Sequence, residues 1–299
     1  MQPQIGGPSV RKAGMKRAPY SDTWRGPDGT LFTRLAWLPE GDARTLALVH
    51  HGLGDHAGRY AVLAHSLNRL GLQVWGYDAR GHGTSSGARG DATSIDQWVD
   101  DLGAMVDDLI ERTGAERVVL YGHSTGGLVV ARYVQGEPHP KVQAVILSAP
   151  VLRPVRSLSV QLKIAVGRTL ARIAPRLTLA NPAEAHLISR DEREQERYSQ
   201  DTLNHDRLSL RLGTSLVDDG EETLQRASRV TLPLLCIHGE EDRVIEMEPT
   251  RLFVEGASSE DKAFWGLKNC RHEPHHDAPE AVDALLERIN GWVSDRLID

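Results

Sequence analysis

Two segments of the 299-residue chain place a serine between glycines as Gly-x-Ser-x-Gly, at 83–87 and at 122–126. That spacing suits a nucleophilic serine on a strained strand-to-helix turn, where side chains two positions away on either side would collide. The chemistry is acyl transfer: a serine hydroxyl is a weak nucleophile at neutral pH, so a histidine must accept its proton and a carboxylate must orient that histidine. Context separates the two matches. Gly83-Thr84-Ser85-Ser86-Gly87 lies in a polar stretch and runs into Ala88-Arg89-Gly90-Asp91 with no helix opening after it, so Ser85 is expected in a loop. Gly122-His123-Ser124-Thr125-Gly126 follows the apolar run Val118-Val119-Leu120-Tyr121 and precedes Gly127-Leu128-Val129-Val130-Ala131, which places Ser124 where a nucleophile belongs.

In serine sites of this strand-turn-helix kind the partners follow in the order acid, then histidine. Leu232 to Ile237 opens onto His238-Gly239-Glu240-Glu241-Asp242, three acids in a row; Asp242 is the choice, Glu240 and Glu241 suiting a solvated turn. After the next strand, Asn269-Cys270-Arg271-His272-Glu273-Pro274-His275-His276-Asp277 offers three histidines. His272 lies nearest the strand end and is favoured, while His275 and His276 sit where they could cap the last helix or face solvent. A tetrahedral intermediate also needs two preorganised backbone donors. One is the N–H of Thr125, at a helix start. The other is the N–H of Leu53, in the turn His50-His51-Gly52-Leu53-Gly54-Asp55-His56 that follows the strand Leu46 to Val49. The same turn approaches the binuclear metal pattern H-x-H-x-D-H in the frame His51, Leu53, Asp55, His56, but leucine stands where the second histidine ligand would be. Neither a metal nor another cofactor is expected, and His51 is expected to brace the turn.

The elements that must position these residues show a clear rhythm. Strands are expected at Leu31–Leu38, Thr45–Val49, Gln73–Tyr77, Arg117–Tyr121, Val142–Leu147, Leu232–Ile237 and Lys262–Leu267. Helices fall between them at Ala57–Leu70, Ser94–Arg112 and Gly127–Gln135, and Pro279–Leu297 closes the chain. The alternation predicts an α/β fold, a mostly parallel, doubly wound sheet with helices on both faces. It fails between Pro150 and about Val230, so residues 151–230 are expected as an inserted helical unit, with 21–150 and 231–299 forming the core. Residues 1–20, with Arg11, Lys12, Lys16 and Arg17 and no acid, read as a disordered, solvated basic tail. With 41 acidic against 35 basic residues, net −6, a nucleic-acid partner is not expected, because a polyanion needs a basic face. Cys236 and Cys270 are the only cysteines, which excludes a disulfide framework, and no apolar run approaches the roughly 20 residues of a membrane span. A cytoplasmic location is the expectation.

At the level of motifs the chain resembles the monoacylglycerol lipase and lysophospholipase-like branch of the α/β-hydrolases, also grouped as serine aminopeptidase-like hydrolases, over roughly residues 28–296. His51-Gly52-Leu53-Gly54-Asp55-His56-Ala57-Gly58-Arg59-Tyr60 is similar to that branch's H-G-x-G-E-H-x-x-R-Y, and Asp78 to Gly87 to its D-x-x-G-H-G-x-S-x-G, which makes Ser85 structural. The resemblance implies Ser124 as nucleophile, Asp242 and His272 as its partners, Leu53 and Thr125 as oxyanion donors, and a cap after the sixth strand. Thr125 stands where many members carry methionine, Asp55 replaces the usual glutamate, and Asn269-Cys270-Arg271 lacks the glycine that often precedes the histidine. These departures bear on substrate preference.

The expected activity is hydrolysis of carboxylic esters of single-chain lipids, monoacylglycerols foremost, through an acyl-enzyme. Competing readings are a short- or medium-chain carboxylesterase, a lysophospholipase or a peptidase of the same branch, and a non-catalytic hydrolase-fold binding protein, against which the complete triad speaks. One segment points to a surface partner. Read at 100° per residue, 160–177 gathers Leu162, Ile173, Val166, Leu177, Leu170, Ala174, Ala171 and Ile164 on one arc and Arg168, Arg172, Arg176, Gln161 and Thr169 on the other, with no acid from 151 to 183. Only Lys163 intrudes. Either this helix covers the pocket as a lid, or it gives peripheral contact with a lipid surface.

Overall fold

The computed structural model describes residues 18–155, 158–180 and 184–297. Among these, the strands in chain order are β1 (Tyr20–Arg25), β2 (Leu31–Trp37), β3 (Thr45–His50), β4 (Gln73–Tyr77), β5 (Arg117–His123), β6 (Val142–Ser148), β7 (Thr178–Ala180), β8 (Arg207–Ser209), β9 (Leu234–Gly239) and β10 (Lys262–Leu267). The α-helices are α1 (Ala61–Asn68), α2 (Ile95–Thr113), α3 (Thr125–Gln135), α4 (Leu158–Ala171), α5 (Ala185–Ile188), α6 (Glu192–Gln200), α7 (Leu210–Gln225), α8 (Met247–Gly256) and α9 (Pro279–Leu297). Eight strands form one sheet in the order β1-β2-β4-β3-β5-β6-β9-β10, while β7 and β8 pair apart from it. β1 and β2 run antiparallel to their neighbours and all other pairs are parallel. The inner strands are near-continuous apolar runs buried on both faces, as parallel strands under two helical layers must be. Trp98 of α2, Leu128 of α3, Leu212 of α7 and Phe253 of α8 fill one face, and Leu63 of α1 with Leu285 of α9 fill the other.

The chain leaves β3 for β4 on one side and returns to β5 on the other, so the sheet's topological switch point lies between β3 and β5. Ligands of doubly wound sheets bind at the carboxyl ends of strands flanking such a point. Here the last pair in register is His50 with Gly122, so the turns after β3 and β5 start side by side. Further along, Gly239 ends β9 opposite Leu267, the end of β10, and brings the acidic turn beside the histidine loop.

Several expectations needed correction at element boundaries. Tyr20 belongs to β1, and residues 1–17, where the basic tail was expected, lie outside the described residues. β1 was hidden because Tyr-Ser-Asp-Thr-Trp-Arg is a mostly exposed edge strand with almost no apolar face. Residues 57–60 form a 3₁₀ turn before α1. The helix read over 160–177 is α4, ending at Ala171, because Pro175 lacks the N–H to continue it and disfavours helix at Ala174. Within 151–230, where no strand was expected, β7 and β8 form an antiparallel pair of three residues each. α7 packs on α2, α3 and α8. No helix of the described residues is long and apolar enough to cross a membrane.

Candidate active site

Ser124 sits between β5 and α3 with φ 53° and ψ −118°, a left-handed-side conformation that a non-glycine residue adopts only when the surroundings impose it. Its flanking glycines are what make the turn possible: a Cβ on Gly126 would lie 2.3 Å from the His50 carbonyl oxygen, and one on Gly122 would lie 2.4 Å from that of Gly126. The Ser124 N–H donates to the Ser148 carbonyl at 2.9 Å, which ties the turn to the end of β6.

Ser124 Oγ lies 2.9 Å from His272 Nε2, and His272 Nδ1 lies 2.7 Å from Asp242 Oδ2. A carboxylate only accepts, so the proton is on Nδ1 and Nε2 is left to accept the serine O–H. The Asp242 side chain is fully buried and its other oxygen accepts the N–H groups of Val244 at 2.8 Å and Ile245 at 3.0 Å. Burial would raise the Asp242 pKa, but the charge of His272 with hydrogen bonds from His238 and His272 hold it far below the ordinary carboxylate range. For His272 burial acts downward, yet the Asp242 charge and hydrogen bond outweigh it and leave the pKa above 6.5. Of the alternatives the sequence left open, Glu241 pairs at the surface with Arg190, and Glu240 is exposed. His275 is buried behind His272, stacked on Tyr60 with ring centroids 4.5 Å apart, and His276 meets the Arg59 carbonyl at 2.8 Å. The second Gly-x-Ser-x-Gly is structural: Ser85 Oγ donates to the Asp78 carbonyl at 2.6 Å and accepts the Thr33 N–H at 2.8 Å.

The turn after β3 packs against the serine, since a Cβ on Gly52 would lie 3.2 Å from Ser124 Cβ. Among the described residues neither the Leu53 nor the Thr125 N–H takes a protein acceptor, and Thr125 opens α3, where unpaired N–H groups and the helix dipole favour negative charge. His51 braces this turn, its Nδ1–H donating to the Gly52 carbonyl at 2.7 Å and its Nε2 accepting the Ala79 N–H at 2.8 Å. Both ring nitrogens are therefore spent. Asp55 accepts the His56 N–H at 2.7 Å and the Tyr60 hydroxyl at 2.8 Å, and His56 Nε2–H donates to Asp201 at 2.9 Å. The metal-like frame is thus a set of structural bonds. Sequence reasoning missed how far these reach: Arg59 makes two bonds to Glu273, at 3.1 and 2.6 Å, and one to Asp55 at 3.1 Å, all buried. The Arg59-Tyr60 pair was visible as motif, but its partner 214 residues away was not. Another cluster with ligand potential is Glu273, His275 and His276, whose donor atoms lie within 4.8 Å of one another. Glu273 is already committed to Arg59, a poor setting for a cation.

Above the site the chain between β6 and β9 closes down through residues 201–211. The His205 N–H donates to the Gly54 carbonyl at 3.0 Å, the Ser209 N–H to that of Gly90 at 2.8 Å, and Arg211 pairs with Asp91 at 2.6 Å. α4 is different: it buries no residue. Leu158 is 86% exposed, Leu162 67% and Val166 49%, an i, i+4 stripe that continues to Leu170, and Ile173 just past the helix end is 81% exposed. Val160, Ile164, Gly167 and Ala171 are its less exposed residues, and α4 packs on α7. Arg168 pairs with Asp218 of α7, while Lys163, Arg172 and Arg176 are exposed.

A family model for serine aminopeptidase, S33, matches residues 41–279. The chain is 31% identical over 278 residues to the monoacylglycerol lipase of Mycolicibacterium smegmatis, covering 92% of this chain and 97% of that protein. It is 30% identical over 285 residues to the monoglyceride lipase of Mus musculus, covering 94% and 93%. Among solved structures, monoacylglycerol lipase from Paleococcus ferrophilus matches with TM-score 0.79 and 34% identity over 88% of this chain and 98% of that one. A soluble variant of monoglyceride lipase from Saccharomyces cerevisiae, in complex with a substrate analog, matches with TM-score 0.87 over 97% and 99%, a likeness of fold alone at 18% identity. The strand order, the serine turn after β5 and a family match across most of the chain agree: this protein belongs to the serine aminopeptidase S33 family of α/β-hydrolases.

Proposed function

We propose that this chain hydrolyses carboxylic esters of single-chain lipids, monoacylglycerols foremost, through an acyl-enzyme on Ser124. The observation that carries the proposal is the unbroken line Ser124–His272–Asp242, with 2.9 and 2.7 Å between its members, set beside a glycine turn with free N–H groups. The named relatives support the substrate class. Ser124 Oγ attacks the ester carbonyl carbon as His272 Nε2 takes its proton, and the oxyanion is held by the N–H groups of Leu53 and Thr125. The tetrahedral adduct collapses, the carbon–oxygen bond to glycerol breaks, and His272 returns the proton to the departing alkoxide. Water, deprotonated by the same Nε2, then attacks the acyl carbon and releases the fatty acid and Ser124. Asp242 holds the Nδ1–H tautomer and stabilises the imidazolium in both halves.

Residues 151–230 serve as the cap, rooted on the body by α7, and α4 is its contact with the lipid phase. A soluble protein turns the large apolar side chains of a helix inward; α4 turns Leu158, Leu162 and Val166 outward and Ile173 is exposed just beyond its end, amid arginines and lysine with no acid in the surrounding segment. That arrangement suits an anionic lipid surface, from which a single-chain ester would pass directly to Ser124. Glycerol esters of graded chain length, assayed beside p-nitrophenyl esters and a dipeptide amide, test the substrate class. The expected outcome is a kcat/KM optimum at a long-chain monoacylglycerol; faster turnover of the amide, or of two-carbon esters alone, would refute it.

A further inference from the structure

A histidine stands where the fold asks only for an apolar residue. His238 is the penultimate residue of β9, fully buried, next to Ile237 and two positions from Cys236. Its Nε2 lies 3.1 Å from Asp242 Oδ2, the same oxygen that takes the His272 N–H at 2.7 Å, whereas Asp242 Oδ1 is occupied by two backbone donors. On the far side, its Nδ1 lies 2.9 Å from the hydroxyl of Thr250, a fully buried residue of α8. Two hydrogen placements are open to such a ring, and Coulomb's law selects between them. A lone pair on Nε2 would face a carboxylate oxygen, so the proton sits on Nε2 and Nδ1 accepts the threonine O–H. The approach to Oδ2 lies off the N–H axis, so the contact is a close electrostatic one at 3.1 Å and not a formed hydrogen bond.

We infer that His238 is a positioning residue for the triad acid: held in its Nε2–H tautomer by Thr250, it keeps a second N–H close against Asp242 Oδ2, and so sets how strongly Asp242 binds the proton side of His272. The inference rests on the hydrolase reading above. Donors run toward one oxygen from two sides, Thr250 through His238 and Ser124 through His272. While His238 shares the oxygen, less of the carboxylate's charge is concentrated on His272, which gives up its proton more readily. Removing the second donor returns that charge to the His272 bond and raises the pH at which His272 becomes a base.

The other groups facing His272 are Glu273, His123, with ring centroids 5.0 Å away, and His275. Burial holds His123 and His275 far below their ordinary range, so they stay neutral across the working pH, and Glu273 is locked to Arg59. A displaced acid limb therefore reports on the Asp242 pair.

The experiment measures kcat/KM against pH on a soluble ester for wild type, His238→Leu, His238→Gln and Thr250→Val, with a thermal melt of each and Ser124→Ala as control. His238→Leu should move the acid limb up by about half to one pH unit and lower kcat about ten-fold. His238→Gln, whose amide N–H reaches toward the same oxygen, should bring the limb back to that of wild type. Thr250→Val should give a smaller upward shift. A His238→Leu protein that melts lower but keeps the wild-type limb would overturn the inference and leave His238 as core filling. If His238→Leu does not fold, Thr250→Val decides, and an unmoved limb there overturns it equally. Full turnover by Ser124→Ala would instead sink the underlying hydrolase reading, whatever the limbs do.

Discussion

The strained backbone of Ser124 is held from three directions: a hydrogen bond to β6, the carbonyls of His50 and Gly126 pressing on its glycines, and Gly52 against its Cβ. Replacing the hydroxyl leaves that frame intact, so Ser124→Ala should fold as wild type and lose on the order of 10⁴ to 10⁶ in kcat. Ser85→Ala, which removes a hydroxyl bonded to Asp78 and Thr33, should keep turnover and cost about 1 kcal/mol of stability in denaturant titrations. The raised pKa of His272 fixes the sign of the pH dependence: His272 acts as a base only when neutral, so kcat/KM should rise with pH to a plateau, with its acid-limb midpoint above 6.5. A midpoint below 6.5 would show that the Asp242 charge does not reach His272 as described. Ser124 was legible in sequence because an apolar strand and a helix start bracket it. The choice among Glu240, Glu241 and Asp242 was not legible from spacing alone. What separates them is the turn, which sends Glu241 to Arg190 and buries Asp242 between two histidines.

Elements divide into those whose hydrophobic period matches their burial and those whose setting overrides it. β4, β10 and α9 fell where periodicity put them, because each is packed on a face the pattern declares. β1 and α8 did not: one is a polar edge strand, and the other carries a proline at its third position. α4 was legible as amphipathic, but which way it turns could not be read, since a lid and a lipid-docking helix share one pattern. Its outward apolar stripe makes the second testable. Wild type should sediment with anionic vesicles and less with neutral ones; Leu162→Asp/Ile173→Asp should stay in the supernatant, and Arg172→Glu/Arg176→Glu should lose the anionic preference, while all three keep kcat on a soluble ester. Equal recovery of all three in the supernatant would leave α4 a plain lid.

At the scale of the whole molecule, residues from both ends of the chain are locked together beneath the site. Arg59 follows the turn after β3 and Glu273 follows His272, and their buried pair, with Asp55 alongside, fixes one loop against the other. Arg59→Met leaves two carboxylates buried without their cation, so denaturant unfolding should show a loss of about 3–5 kcal/mol. A loss under 1 kcal/mol would mean the loops are held by packing alone. This long-range clamp is the part of the site that sequence could not supply, because nothing local in His56-Ala57-Gly58-Arg59-Tyr60 names a partner beyond the sheet. The doubly wound order and the turn after β5 were legible, since alternating elements with right-handed crossovers leave few topologies. The central claim, a covalent intermediate on Ser124, is tested most directly by labelling with a fluorophosphonate, followed by intact-mass measurement and peptide mapping. One adduct per chain on the peptide carrying Ser124, absent from Ser124→Ala and retained in Ser85→Ala, is the predicted result. An adduct on Ser85, or undiminished labelling of Ser124→Ala, would contradict it.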